Sequence, residues 1–537
     1  MYHEKLEQRI IGLFLLFLLL IGLLLARLLY IQVFAAGELR YQAFLQRTER
    51  LAVSFPRLDF ADREGNLLTG RIKKYKVAVV PYLVEQDKIP AKFYSPALLQ
   101  KIKEKRAPFF LTAMAGAEDK ELLRDNRFPG FFLTEVKQRY ADKMPAGHLL
   151  GYLNQTDNQG MYGLERVLDK RLKEKKAEYL LLTADGRRNL IAGLGVRQQG
   201  GRMGKENKID LTLDTCWQNS AEKVLDKRVK RGAVVVLKPQ TGEILAMASR
   251  PSFNSNRVAD YLTKKNGALL NRALTAYPPG SIFKIVTASA ALEQKLTEPE
   301  ERFFCSGRMW LNQRSIACHK EKGHGLLSMR QGFAYSCNPV FIQLGLRLGE
   351  ERIIDYALKF GLGQYSGLGL VEEEKGEITA GQKLYDGDIA NLSIGQGSLA
   401  VTPLQAAVML GTIVNDGKRV VPVILKGQKG ETERVISAGT AREIQRMLED
   451  VTKHGTGQKA YISSIGTAGK TGSAEAEQNK THAWFVGYGP TKSKPEWVMA
   501  VLIENGGSGS TAAVPVFREI VEKYLADRHK ASSEIIN

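Results

Sequence analysis

The feature that most limits how this chain can fold is the apolar run from Ile10 to Ala26, 17 residues, continued after Arg27 by Leu28-Leu29-Tyr30-Ile31-Gln32-Val33-Phe34. A stretch of that length satisfies its own backbone only as a helix in hydrocarbon, so it reads as a membrane span with Arg27 snorkelling near one end. A cleaved signal peptide is the rival reading, but it would be shorter, and Val33-Phe34-Ala35 makes a poor small-x-small cleavage site. Lys5 and Arg9 are offset by Glu4 and Glu7, which weakens the charge signal for orientation. With no second comparable span, residues 1–9 form a tail on one side and the rest of the chain lies on the other.

At 537 residues, 44% of them hydrophobic and 25% charged, two or three globular domains are affordable. The net charge of +20 raises the question of nucleic acid. No zinc-finger spacing, RNA-binding signature or long basic run supports that partner, and beside a membrane span an anionic surface fits better.

Between Gly37 and Arg50 the apolar spacing predicts a helix leaving the membrane. Pro56 to Leu68 reads as strand, Asx-rich turn and strand, with Asp62 and Arg63 in a turn held by an ion pair. Short strands (Tyr75 to Val84) and basic helices (Ser95 to Arg106, Lys120 to Arg127) follow. The Gly-rich stretch Gln198 to Lys208 marks a hinge. Beyond it come a strand (Ile209 to Leu213), a helix (Cys216 to Arg228) and a hairpin (Gly232 to Leu237 with Glu243 to Ala248). A mostly helical region runs to about Thr412, with Thr402 capping a helix opened by Pro403. Two strands (Thr481 to Tyr488, Glu496 to Ile503) and an amphipathic helix (Val514 to Tyr524) close the chain. The expected fold class is α+β: one antiparallel sheet flanked by helices, its C-terminal hairpin pairing beside its N-terminal strands.

The chemistry centres on Tyr277-Pro278-Pro279-Gly280-Ser281-Ile282-Phe283-Lys284. Pro279-Gly280 stops the preceding segment, which places Ser281 in the first turn of a buried helix and Lys284 one turn on, along the same face. A serine beside an amine kept neutral by burial or a neighbouring cation is a nucleophile–base pair. The pattern alone is weak. Ser220-Ala221-Glu222-Lys223 matches it too and reads as one polar face of an amphipathic helix. What changes the odds is order: Ser336-Cys337-Asn338 begins 55 residues after Ser281, and Lys470-Thr471-Gly472-Ser473 begins 132 residues after Asn338. Ser-x-x-Lys, Ser-x-Asn and Lys-Thr-Gly in that order form the signature of penicillin-binding proteins and serine β-lactamases.

With these motifs the chain resembles the class B penicillin-binding proteins, membrane-anchored D,D-transpeptidases of peptidoglycan synthesis. Asn391 to Gly397, Thr402 to Ala406, Gly455-Thr456-Gly457 and His482 to Tyr488 are similar to family stretches around the active-site sheet. The resemblance implies an anchor at 10–34, a non-catalytic pedestal at 35–205, a transpeptidase domain at 206–530 and a tail at 531–537. The pedestal departs from the family pattern at Arg57-Leu58 and at Asp62-Arg63-Glu64-Gly65. The implied roles are Ser281 as acylated nucleophile, Lys284 as its base, and Ser336 as proton relay to the leaving group. Asn338 holds the substrate amide and the lysine; Lys470 supplies a positive field; Thr471 and Ser473 bind the terminal carboxylate. Gly472 lets substrate lie against the strand, and the backbone N–H groups of Ser281 and Ser473 form the oxyanion hole.

The resemblance further implies stem peptides as substrates, β-lactams as inhibitors, a polytopic lipid II polymerase as partner and an extracytoplasmic catalytic domain. A hydrolase or β-lactam sensor of the same fold, with Glu372, Glu373 or Glu374 as base, and a non-catalytic wall-synthesis scaffold are the alternatives. No cofactor is needed for catalysis. Cys305, Cys318, His324 and Cys337, separated by 12, 5 and 12 residues, make a three-Cys, one-His set suited to structural zinc. A Cys305–Cys318 disulfide is the alternative outside the cytoplasm. His148 and His454 read as structural.

Overall fold

The computed structural model describes residues 2–54, 57–105, 107–123, 128–154, 158–173, 178–183, 185, 196–199, 208–264, 266–311, 314–378, 384–476 and 480–536. The expected hinge falls mainly on residues outside that set. The apolar run is helical from Tyr2 to Leu29 and continues as a π-helical turn over Tyr30–Phe34. Within Lys5–Phe34 an 18-residue window has mean hydropathy 2.8, and none of it is buried against protein. The next helix, Ala36–Arg47, is shorter than its spacing suggested, because Thr48–Ser54 leaves it to pair antiparallel with Glu178–Thr183.

Two compact units follow, and sequence order does not divide them. The first comprises 1–57, 73–138 and 173–204, with two three-stranded sheets. Its helix Pro96–Glu104 is capped by Ser95, and the helix expected at Lys120 is Ala117–Leu122. Val53, Ala78, Val80, Val136, Leu180 and Leu182 pack together between its strands.

The second unit comprises 58–72, 139–172 and 205–537. Residues 58–72 and 139–172 therefore fold with the C-terminal region, which corrects the single boundary expected near 205. The reason is pairing across segments: Asp59–Ala61 lies parallel to Lys208–Asp210, Ala146 N donates to Glu222, and Gly163 N donates to Glu372. The Asp62 carboxylate organises its turn by accepting from Glu64 N, Asn66 N and Thr215, while Arg63 pairs with Glu243.

The centre of this unit is one antiparallel sheet. We label its strands β1 (Gly232–Leu237), β2 (Ile244–Arg250), β3 (Ala468–Ala476), β4 (Lys480–Gly489) and β5 (Trp497–Ile503), in spatial order β2-β1-β5-β4-β3. The C-terminal hairpin thus pairs beside the N-terminal one, as expected. Strand periodicity sends Val235 and Val498 to one face and Val234 and Val501 to the other. Helices cover both faces, so Val234-Val235-Val236 reads as an unbroken apolar run. One face carries α1 (Thr215–Arg228) and the C-terminal helix Val514–Ile536. The other carries α2 (Lys284–Glu293), α3 (Asn338–Leu348), α4 (Pro403–Val414, in a Thr402/Gln405 capping box) and α5 (Ala438–Lys453). In α1, Ser220 is fully buried while Lys223 is exposed, so the second Ser-x-x-Lys match is not one polar face.

The stretch expected to be mostly helical also contains small two-stranded sheets, among them Arg302–Cys305 with Gly325–Ser328, and Arg308–Leu311 with Arg314–Ala317. Four-residue strands carry too little periodicity to stand out.

Candidate active site

Gly280–Phe283 forms a 3₁₀ turn that leads straight into α2. Gly280 has φ +54°, and a Cβ there would lie 2.4 Å from Ser473 O. That proximity puts the Ser281 turn directly against β3. Four further ties hold the turn's approach: Gly280 N donates to Gly395 O (2.9 Å), Trp484 Nε1 to Pro278 O (2.9 Å), and Tyr277 exchanges backbone bonds with Val401. The Tyr277 hydroxyl donates to Glu504 (2.6 Å), whose carboxylate also pairs with the buried Arg272 at 2.7 Å.

Lys284 is completely buried on the first turn of α2. Its Nζ donates to Ser336 O (2.8 Å), Ser336 Oγ (3.3 Å) and Asn338 Oδ1 (2.7 Å), and lies 5.5 Å from the centre of the Phe341 ring. None of its hydrogen bonds reaches Ser281, contrary to the simple i,i+3 reading; the amine is turned toward the Ser-x-Asn element. Burial pulls its pKa down to about 7, against a smaller opposing pull from Cys337 and Cys318. Desolvation, rather than a neighbouring cation, is thus the leading cause of its neutrality. Ser336 takes φ +55°, an uncommon backbone for a serine, at the junction before α3. Asn338 Nδ2 donates to Ala317 O (2.8 Å), so its amide is gripped from both ends.

Lys470 is also completely buried, with its Nζ 5.7 Å from the Phe333 ring and donating to Thr471 O. Burial and then repulsion from Lys284 hold its pKa well below the usual lysine value. Thr471 Oγ1 shares a 2.6 Å hydrogen bond with Thr456 Oγ1, which explains the Gly455-Thr456-Gly457 stretch as a support for the strand's hydroxyl. Ser473 is exposed, and its Oγ accepts from Gly509 N (3.1 Å). A Cβ on Gly472 would fall 2.9 Å from Ile282 Cγ2 and 3.0 Å from Pro279 O. That glycine is therefore required first by the nucleophile's own turn, a reason sequence reading did not find.

Cys305, Cys318, His324 and Cys337 converge, all ligand atoms lying within 4.8 Å of one another. His324 Nδ1 is 3.6 Å from both Cys305 Sγ and Cys318 Sγ. All four cysteines are free, so the Cys305–Cys318 disulfide is not formed. A hydrogen bond between Cys318 and Cys337 lowers the pKa of the first thiol and raises that of the second. The three glutamates considered as hydrolytic bases are engaged elsewhere: Glu372 accepts from Gly163 N, Glu373 from Ser366 N, and Glu374 from Ala276 N. His148 is buried and donates to Ala268 O.

Residues that pattern reading did not assign a role are Thr456, Trp484, Tyr277 and Glu504. The first three sit inside stretches already singled out; Glu504 carries no local signal.

Residues 232–522 match the penicillin binding protein transpeptidase domain. The chain is 32% identical over 412 residues to stage V sporulation protein D of Bacillus subtilis, spanning 71% of this chain and 62% of that relative. It is 28% identical to the peptidoglycan D,D-transpeptidase MrdA of Acinetobacter baumannii (75% and 68%) and 30% identical to PbpA of Mycolicibacterium smegmatis (61% and 74%). Among solved structures, a chain of a peptidoglycan synthase complex that coordinates polymerization and crosslinking superposes with TM-score 0.73 at 26% identity, covering 96% of this chain and 98% of that one. PBP2 of Helicobacter pylori, in complex with MreC, shares the fold with TM-score 0.71 at 22% identity, covering 89% and 99%.

Proposed function

The chain belongs to the class B penicillin-binding proteins, the peptidoglycan D,D-transpeptidases, and from that premise we propose that Ser281 is its acylated nucleophile. The single observation that carries the assignment is Lys284: a buried amine poised near neutrality, bonded to Ser336 and Asn338, one turn from a serine packed against the Lys470 strand.

Neutral Lys284 takes the Ser281 hydroxyl proton as Oγ attacks the carbonyl carbon of the penultimate D-Ala. The negative charge that develops on the carbonyl oxygen is met by the backbone N–H groups of Ser281 and Ser473, each such donor being worth on the order of 100-fold or more in rate. Collapse breaks the C–N bond, and Ser336 passes a proton from Lys284 to the departing D-Ala nitrogen. The resulting ester is attacked by an amine of a second stem peptide, which restores the Ser281 hydroxyl. Thr471 and Ser473 hold the terminal carboxylate and Asn338 the substrate amide, while Lys470 lies buried behind them. β-Lactams acylate Ser281 by the same first step. A fluorescent penicillin should label the wild type covalently and leave Ser281→Ala unlabelled; a covalent adduct on Ser281→Ala removes this assignment.

The four converging Cys and His side chains suit a structural zinc. Tetrahedral Zn–S and Zn–N bonds of the usual lengths imply ligand separations of about 3.5–3.8 Å, and His324 stands 3.6 Å from two of the sulfurs. Cys305, Cys318, His324 and Cys337 would hold the ion. Their role is positional, since Cys318 follows Ala317, whose carbonyl orients Asn338. The catalytic unit works outside the cytoplasm, tethered through residues 10–34, and the tail expected at 531–537 is instead, through Ile536, the end of the C-terminal helix. A polytopic lipid II polymerase is its partner, a reading supported by likeness to a chain from a polymerizing and crosslinking complex.

A further inference from the structure

At the β2 edge of the sheet, within the unit that carries Ser281, the fold leaves a cleft of about 620 Å³. This lies in the range of roughly 300–1,000 Å³ that takes a small organic ligand. Its floor is β2 from Met247 to Arg250, one wall is α1, and the opposite wall is the segment 142–148 with Phe253 and Tyr261. The proposed mechanism uses none of these residues.

The lining is unusual in three ways. Its charges cancel: Asp142, Glu222 and Asp226 face Lys143, Lys223 and Arg250. The innermost of them are also paired, Arg250 lying between Asp226 and Glu222. Glu222 Oε1 is further occupied by Ala146 N and the Gln218 amide, both at 2.7 Å. Neither a phosphate nor a polyamine would find a net field there. Second, the aromatic wall is rigid. Phe253 stands edge-on to His148 (4.9 Å between centroids), Tyr152 (5.8 Å) and Tyr261 (6.3 Å), yet Phe253 and Tyr261 remain partly exposed. Third, Asn219 presents a half-buried amide that, among the described residues, makes no hydrogen bond.

Rings that stay partly exposed, Tyr261 carrying Lys264 Nζ over its ring at 5.2 Å, next to planar amides and carboxylates whose charge is already neutralised, match a ligand that is neutral and dense in hydroxyls, with C–H groups on one face. That is a pyranose. We propose that this cleft is a subsite for the glycan strand of the wall polymer, an inference that rests on the transpeptidase reading above. Placement agrees with scale. β2 and the catalytic β3 are opposite edges of a five-stranded sheet, so four inter-strand steps separate them by about 19 Å. An extended five-residue peptide reaches about 17 Å. A stem peptide on a glycan held at one edge thus extends most of the way to the other, about 2 Å short of the full separation.

The test uses the full chain in detergent, with strands of β-1,4-linked N-acetylglucosamine, which carry no charge, as the probe. Wild type should co-sediment with the strands. Tyr261→Ala, Phe253→Ala and Asn219→Ala should each weaken binding, the aromatic truncations by roughly ten-fold. The same variants should cross-link glycan-borne stem peptides more slowly while keeping the wild-type rate of acylation by a β-lactam, which also shows that they fold. No glycan binding by the wild type, or variants that bind as it does, overturns the proposal. Failure of the transpeptidase reading would look different, as wild type that no β-lactam acylates.

Discussion

Replacing Lys284 by methionine should make the protein more stable and inactive at once. Its pKa falls from 10.5 to about 7 because burial penalises the charged form, which corresponds to about 5 kcal/mol of folding free energy withheld at neutral pH. The sign follows from proton counting. Between pH 7 and 10.5 the unfolded chain holds the lysine proton and the folded chain does not, so wild-type stability climbs with pH across that window and its deficit is greatest at or below pH 7. Methionine fills a similar volume without a charge. It leaves Ser336 O, Ser336 Oγ and Asn338 Oδ1 without their partner, a loss of about 1 kcal/mol each and about 3 kcal/mol together. The net expectation is a variant stabilised by about 2 kcal/mol or more at pH 7, an advantage that shrinks as pH approaches 10.5 and then reverses. Denaturant unfolding at pH 7 and pH 10, followed by tryptophan fluorescence, measures it, and labelled penicillin reports the loss of acylation. A variant less stable than wild type at pH 7, or a difference that does not change with pH, would refute the claim that Lys284 is held neutral by burial.

Other outcomes follow from the same site. The rate of β-lactam acylation should rise about ten-fold per pH unit below about 7 and level off above it, as Lys284 loses its proton; a flat profile across that range contradicts Lys284 as base. Gly280→Ala places a Cβ 2.4 Å from Ser473 O at a positive φ, so acylation should slow by about 100-fold with the far-ultraviolet circular dichroism unchanged. Metal analysis should find one zinc per chain, and chelation should lower both the unfolding temperature and the acylation rate, because the site borders Ala317 and Asn338. Purified protein with neither zinc nor a response to chelators argues against a metal there.

Much of this protein was legible one-dimensionally because its signals are local. The membrane run, the Thr402-Pro403 cap and the three catalytic motifs each depend on neighbours a few residues away. Their order along the chain was enough to name the chemistry. Three things were not local. The interleaving of 58–72 and 139–172 with the C-terminal unit depends on a parallel strand pair and on the Ala146 and Gly163 N–H groups donating to Glu222 and Glu372 across distant segments. The hairpin-like strands around Cys305 and Cys318 are too short to show periodicity. Gly472 was read for its substrate when its nearest constraint is the Ile282 side chain.

By itself, then, the residue order determined which groups could react: a serine, two lysines, an asparagine and a cluster of thiols with a histidine. Only the folded chain decided their states. Whether Lys284 is charged, which partners it bonds, and whether four sulfur and nitrogen atoms meet are questions of burial and approach. Those are set by packing of helices and strands remote in sequence, where desolvation falls on whatever the core encloses.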